Sequence, residues 1–212
     1  MGIKQIYLTS DKKFEGISNL RLLEIQYLDF EIDLTPYEFL IFTSKNGVIA
    51  INNVSSDWQS KKCIAISKQT AKQIEKFGGT CYFVGTNGHG NEFASEILNI
   101  VKNSKSLYVR PKEVANNLDE IFRSNKIDYD FVIAYETSCN QNLNEQTFSK
   151  NSIFIFTSPK TVNCFFDKFV WDDSFFAICI GQTTQKALPK NIKCKTSNEQ
   201  TFEACVVLAK EI

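Results

Sequence analysis

Four short stretches of this sequence place hydroxyl-bearing residues directly after apolar runs. Thr43-Ser44 follows Phe39-Leu40-Ile41-Phe42, and Thr157-Ser158 follows Ile153-Phe154-Ile155-Phe156. Ser67 follows Cys63-Ile64-Ala65-Ile66, and Gly181-Gln182-Thr183-Thr184 follows Ile178-Cys179-Ile180. If the runs are strands and helices come next, such turns collect backbone N–H groups and hydroxyls at helix amino ends. Anions bind there without basic side chains. Each hydroxyl can equally serve as a plain helix cap. Arg110, closing Leu107-Tyr108-Val109-Arg110, offers a partner for a ligand carboxylate or for a surface acid. Tyr135 closes Phe131-Val132-Ile133-Ala134-Tyr135 and reads either as a site phenol or as an ordinary strand aromatic. The loop Gly85-Thr86-Asn87-Gly88-His89-Gly90 lacks both the P-loop ending and the dinucleotide glycine order, so it reads as a flexible loop before a helix.

Composition excludes several classes of function. Lys plus Arg is 24 and Asp plus Glu is 24, leaving no net field for nucleic acid or an acidic membrane. No apolar run reaches the ~18 residues that span a bilayer. The opening Met1-Gly2-Ile3-Lys4-Gln5 carries no basic leader, and Ile6 stands where a myristoylation signal needs Ser or Thr. A cytoplasmic monomer is therefore expected. The 7 cysteines include no C-x-x-C pair and mostly sit in apolar runs as small hydrophobes. In a reducing compartment their odd number needs no explanation. With His89 the single histidine, neither a metal centre nor a cofactor is expected.

The elements that must hold these residues come in two copies. Shifted by 114 residues, Ile41-Phe42-Thr43-Ser44 falls on Ile155-Phe156-Thr157-Ser158 and Val48 on Val162. In the same ungapped register Ile64, Ile66, Thr70 and Lys72 meet Ile178, Ile180, Thr184 and Lys186. Shared polar residues at one offset point to an internal duplication. Each copy reads as strand, turn, helix, strand, turn, helix, then a further strand (Thr80–Val84, Ile192–Thr196) and an amphipathic helix. Strands alternating with helices imply parallel sheets of about five strands, flanked by helices. Two strand–helix–strand stretches lie outside the repeat, from Lys4 to near Ile32 and from Lys105 to near Glu136. The duplication does not say which one completes which copy. Leu22–Ile32 alternates apolar and polar residues and suits an exposed ribbon. If both extended stretches pass between domains, they form a two-stranded hinge.

The motifs Ile41–Val48, Ala65–Ala71, Asn87–Gly90, Val132–Thr137, Ile153–Val162 and Cys179–Leu188 resemble the uroporphyrinogen-III synthase family. Cys179–Leu188 is the closest piece, whereas Pro111 stands where the family usually has glycine. The resemblance implies two α/β domains, residues 1–32 with 137–212 and residues 33–136, joined by a two-stranded ladder. It implies a cyclising lyase acting on hydroxymethylbilane, a linear tetrapyrrole rich in carboxylates, held between the domains. It also implies roles: Tyr135 as the catalytic phenol, with Thr43, Ser44, Ser67, Asn87, Ser158, Gly181, Thr183 and Thr184 binding substrate. The rivals are a flavodoxin-like nucleotide or flavin module and a two-lobed ligand sensor. Duplicated turns at one offset are not expected of the first, and most of the second kind are exported.

Overall fold

The computed structural model describes residues 4–86, 90–114, 116–144 and 146–212. The chain opens with β1 (Ile6–Leu8), β2 (Ser18–Asn19) and β3 (Leu23–Tyr27). It continues through β4 (Phe39–Phe42), α1 (Lys45–Val54), β5 (Lys62–Ala65), α2 (Lys68–Lys76) and β6 (Thr80–Val84). Next come α3 (Gly90–Val101), β7 (Ser106–Pro111), α4 (Leu118–Ser124) and β8 (Tyr129–Cys139). The last set is β9 (Ile153–Phe156), α5 (Pro159–Lys168), β10 (Phe176–Cys179), α6 (Gln182–Ala187), β11 (Cys194–Thr196) and α7 (Phe202–Lys210).

These elements form two compact units: a terminal one, the residues up to Glu24 with Ser138–Ile212, and a central one, Ile25–Thr137. The terminal sheet has the order β11-β10-β9-β1-β2, and its strands pair in parallel. The central sheet has the order β3-β8-β7-β4-β5-β6, parallel from β8 to β6. Both middle strands are wholly buried because helices cover both faces. Along β4, Leu40 and Phe42 enter one core cluster while Phe39 and Ile41 enter the other. Along β9, Phe154 and Phe156 face one core while Ile153 and Ile155 face the second. This period of two, with apolar residues on both sides, is what fixes the strand in the middle of its unit. Truncating a fully buried ring such as Phe42 or Phe156 to alanine costs about 3–5 kcal/mol.

The duplication is exact in outline. Adding 114 to the bounds of β4, α1 and β5 gives those of β9, α5 and β10, and α2 and α6 start at the same offset. The sheet orders also match, with β7 and β8 beside β4 where β1 and β2 lie beside β9. The amino-terminal stretch therefore completes the terminal sheet, and the stretch from Lys105 completes the central one.

Four sequence expectations change. No helix joins β1 to β3: residues 9–17 are irregular, because a polar run broken by Gly16 at φ +72° offers no apolar stripe to bury. Tyr135 does not end its strand, for β8 continues to Cys139 beside β3. Leu28 N–H bonds the Ala134 carbonyl and Asn140 N–H the Leu22 carbonyl, so β3 runs antiparallel to β8. The chain leaves one unit within β3 and returns within β8, and residues 25–32 group with the central unit. Finally, Cys139 and Cys164 are disulfide-bonded, with Cα atoms 5.4 Å apart. Their separation of 25 residues forms no local motif, so only the meeting of the β8 end with α5 shows the pairing. Among the described residues no helix is long and apolar enough to cross a membrane, and no group of three or more His, Cys, Asp or Glu is placed to hold a metal ion.

Candidate active site

The first turn of the central copy carries two tyrosines. Ser44 is the N-cap of α1, its Oγ accepting from Asn46 N–H at 3.2 Å. Thr43 Oγ1 lies 3.0 Å from the Tyr108 hydroxyl, which reaches it from β7. Tyr135, from β8, comes near enough to the Ser44 side chain for that serine to lower its pKa. The two phenols approach from opposite faces of the sheet, since Tyr135 belongs to the core cluster of Phe42 and Tyr108 to that of Ile41. Burial raises the pKa of both phenols above the ordinary 10.0, so both are protonated at neutral pH. Ser44 pulls the Tyr135 value back down, and Thr43 and Asn116 do the same for Tyr108.

The same turn in the terminal copy is closed on itself. Ser158 and Thr161 form a full capping box: Ser158 Oγ accepts from Thr161 N–H at 3.2 Å, and Thr161 Oγ1 accepts from Ser158 N–H at 3.1 Å. Thr157 is tied to Thr9, donating its hydroxyl to the Thr9 carbonyl and its N–H to Thr9 Oγ1, at 3.2 and 3.3 Å. The central copy has Gly47 where Thr161 stands, and a Cβ there would lie 2.9 Å from the Val109 carbonyl oxygen. A capping box is sterically shut out.

At the second turn the roles reverse. Ser67 caps α2 through Thr70 N–H at 3.4 Å, and its hydroxyl pairs with that of Thr70 at 3.2 Å. Its counterpart Gly181 has no side chain to cap with. Instead, Gly181, Gln182 and Thr183 border an uncharged polar cavity of about 470 Å³, closed on the far side by Thr196, Ser197, Asn198 and Gln200. Thr183 is exposed there, whereas Thr184 turns into the core at 3% exposure, like Thr70. A larger cavity of about 920 Å³ in this unit is walled by Phe148, Phe169, Trp171 and Phe175 and touches none of the four turns.

Arg110 is committed to a protein partner: Nη1 lies 3.6 Å from Asp119 Oδ2, and the guanidinium stacks 3.8 Å from the Phe131 ring centre. Asn87, with the rest of its loop through His89, lies outside the described residues. Within each unit the structure thus gathers Thr43, Ser44 and Tyr135 at one site, and Gly181 and Thr183 at another. Ser67, Ser158 and Thr184 are engaged internally. Sequence reasoning missed Tyr108, Asn116 and the 196–200 wall. Tyr108 was not legible in the sequence, because only the strand pairings place it where the terminal copy has Leu8, a polar head where packing alone would take a hydrocarbon.

A family model described as uroporphyrinogen-III synthase HemD (HEM4) matches residues 20–206. The chain is similar to the crystal structure of uroporphyrinogen-III synthetase from Helicobacter pylori, with a TM-score of 0.77 and 26% identity over 99% of each chain. Over 188 residues it is 27% identical to a Methanocaldococcus jannaschii protein named for the same synthase, covering 79% of this chain and 76% of that one. It is 28% identical to the porphyrin biosynthesis protein HemD of Ruminiclostridium josui, over 82% of this chain but 38% of that longer protein. With the family model spanning most of its length, the chain belongs to the uroporphyrinogen-III synthase family.

Proposed function

We propose that this chain carries out its family's reaction on hydroxymethylbilane, closing the linear tetrapyrrole with loss of water and inversion of the last ring. The observation that carries this reading is the buried, protonated Tyr135 phenol beside Ser44, at the one first turn that no capping box closes. Asn46 N–H donates into Ser44 Oγ, and this serine lies beside Tyr135 and lowers its pKa. Burial keeps the phenol protonated at neutral pH, with a proton to give. Tyr135 is the general acid on this reading, protonating the terminal hydroxyl as its C–O bond breaks and water leaves. Electron density from the pyrrole nitrogen fills the vacated carbon, giving an azafulvene. Attack by the substituted carbon of the last ring forms a spiro centre, which reopens and recloses inverted. The proton lost on rearomatisation restores the phenol.

An unguided chain closes to the uninverted isomer, so positioning must outweigh acid strength. Thr43, Ser44, Gly181 and Thr183 would hold acetate and propionate groups, supported by the half-buried Thr43 and Ser44 at the end of β4 and by the uncharged cavity beside Gly181. Hydroxymethylbilane generated by a coupled synthase, with the uroporphyrinogen isomers then separated, tests the reading. The III isomer in excess over the spontaneous I isomer is expected, and an unchanged isomer ratio overturns it.

A further inference from the structure

Resting on that reading, we propose that Asn116, Tyr108 and Thr43 form a one-way hydrogen-bond relay that fixes the Thr43 hydroxyl as an outward donor to a substrate carboxylate. Tyr108 is then a positioning residue acting through Thr43. The direction follows from the far end. Asn116 Oδ1 accepts from Leu118 N–H at 3.1 Å, at the start of α4, which sets the orientation of the amide. Its nitrogen therefore faces the Tyr108 hydroxyl, at 3.3 Å. An amide nitrogen only donates, so the Tyr108 oxygen accepts there. The single phenolic proton then goes to Thr43 Oγ1, 3.0 Å away. Thr43 is the acceptor in that pair, which leaves its own proton for an acceptor outside the relay.

Tyr108 is fully buried, whereas Thr43 is only half-buried at the end of β4. The terminal copy shows the alternative wiring. Leu8 replaces Tyr108 in the matching register, and the Thr157 hydroxyl donates inward to the Thr9 carbonyl. One threonine of the repeat thus spends its proton inside the protein and the other does not. An anion that only accepts, such as a carboxylate, is the ligand a free donor fits.

The test is steady-state kinetics with hydroxymethylbilane on the wild type, Thr43→Val, Thr43→Ser, Tyr108→Phe, Asn116→Asp and the Thr43→Val/Tyr108→Phe pair, each with a thermal midpoint. Asn116→Asp keeps the acceptor for Leu118 N–H but turns an acceptor toward Tyr108, so the phenol swings away and Thr43 must donate inward. Thr43→Val, Tyr108→Phe and Asn116→Asp should each raise KM about tenfold with kcat within about twofold, the size of one lost hydrogen bond to a charged group. Thr43→Ser should restore near wild-type KM. Adding Tyr108→Phe to Thr43→Val should change KM by less than about twofold, because the relay then ends on nothing. Unmoved KM in Asn116→Asp, or equal effects of Tyr108→Phe in both backgrounds, overturns the relay and leaves Tyr108 a packing residue. Should Tyr108→Phe fail to fold, Thr43→Val and Asn116→Asp, which keep the ring, decide the matter. An active wild type with unmoved variants sinks the relay alone, while an inactive wild type overturns the functional reading with it.

Discussion

The two copies share the bounds of their first two strands and first helix and the Ile-Phe-Thr-Ser turn, yet each leaves a different turn open. In the central copy the first turn carries Tyr108 and Tyr135, and the second is closed by Ser67 on Thr70. In the terminal copy the first turn is closed by the Ser158–Thr161 box and by Thr9, and the second borders a polar cavity beside Gly181. Closing a turn takes a hydroxyl at the cap and a hydroxyl three residues on; opening one takes a glycine at either place. Gly47 and Gly181 are those glycines. A duplicated scaffold can therefore give each half a structural turn and a ligand turn without moving a strand.

The largest effect should come from Tyr135, the phenol beside the open first turn of the central copy. Tyr135→Phe should cut kcat by about ten- to a thousandfold, the range of general-acid help from a weak acid. The remaining product should still be the III isomer, because positioning survives the loss of one hydroxyl. Wild-type activity would return Tyr135 to the role of a strand aromatic, and a switch to the I isomer would make it an orienting group.

Next come two substitutions at the same repeat position. Gly47→Ala pushes a methyl to 2.9 Å from the Val109 carbonyl, a backbone atom that cannot swing away. It should lower stability by about 1–3 kcal/mol, read as a fall in the thermal midpoint. Thr161→Val keeps the volume but removes the capping box, costing about 1–2 kcal/mol of stability with kcat and KM unchanged. If Thr161→Val instead impairs turnover without loss of stability, the terminal first turn is not merely structural.

Much of the frame was legible before any coordinates. The 114-residue register, the doubly buried strands and the serine caps all follow from apolar runs and polar punctuation, which are local properties. The side chains that distinguish the copies were not, because their meaning is a matter of neighbours. Thr43 and Thr157 read alike until β7 brings a tyrosine to one and β1 brings Thr9 to the other. Thr183 and Thr184 are adjacent and equally polar, and only the start of α6 turns one outward and the other inward. Arg110 looked available to a ligand until α4 supplied Asp119. The Cys139–Cys164 bond is likewise a product of topology.

The smallest effect separates the units by pH. Tyr27, Tyr37, Tyr108, Tyr129 and Tyr135 of the central unit have raised pKa values with burial the leading cause, against Tyr7 in the terminal unit. Tyr37, which donates to Asp130, is pushed up to about 12. A phenol raised in the folded state stabilises it fully below the unfolded value of about 10, and that contribution is lost as pH rises through the folded value. Alkaline titration should thus weaken the central unit between pH 10 and about 12, and Tyr37→Phe should flatten that loss. Hydrogen exchange followed across this window should show central-unit amides opening before those of the terminal sheet. The reverse order would contradict the assignment.

The division of labour between the turns is tested most directly by Ser44→Ala and Ser158→Ala, measured side by side for kcat/KM and thermal midpoint. The account predicts that Ser44→Ala loses about tenfold in kcat/KM, since the hydroxyl beside Tyr135 is removed. Ser158→Ala should stay within about threefold while losing about 1 kcal/mol of stability with its cap. Equal losses of activity in the two variants, or the larger loss in Ser158→Ala, would contradict it.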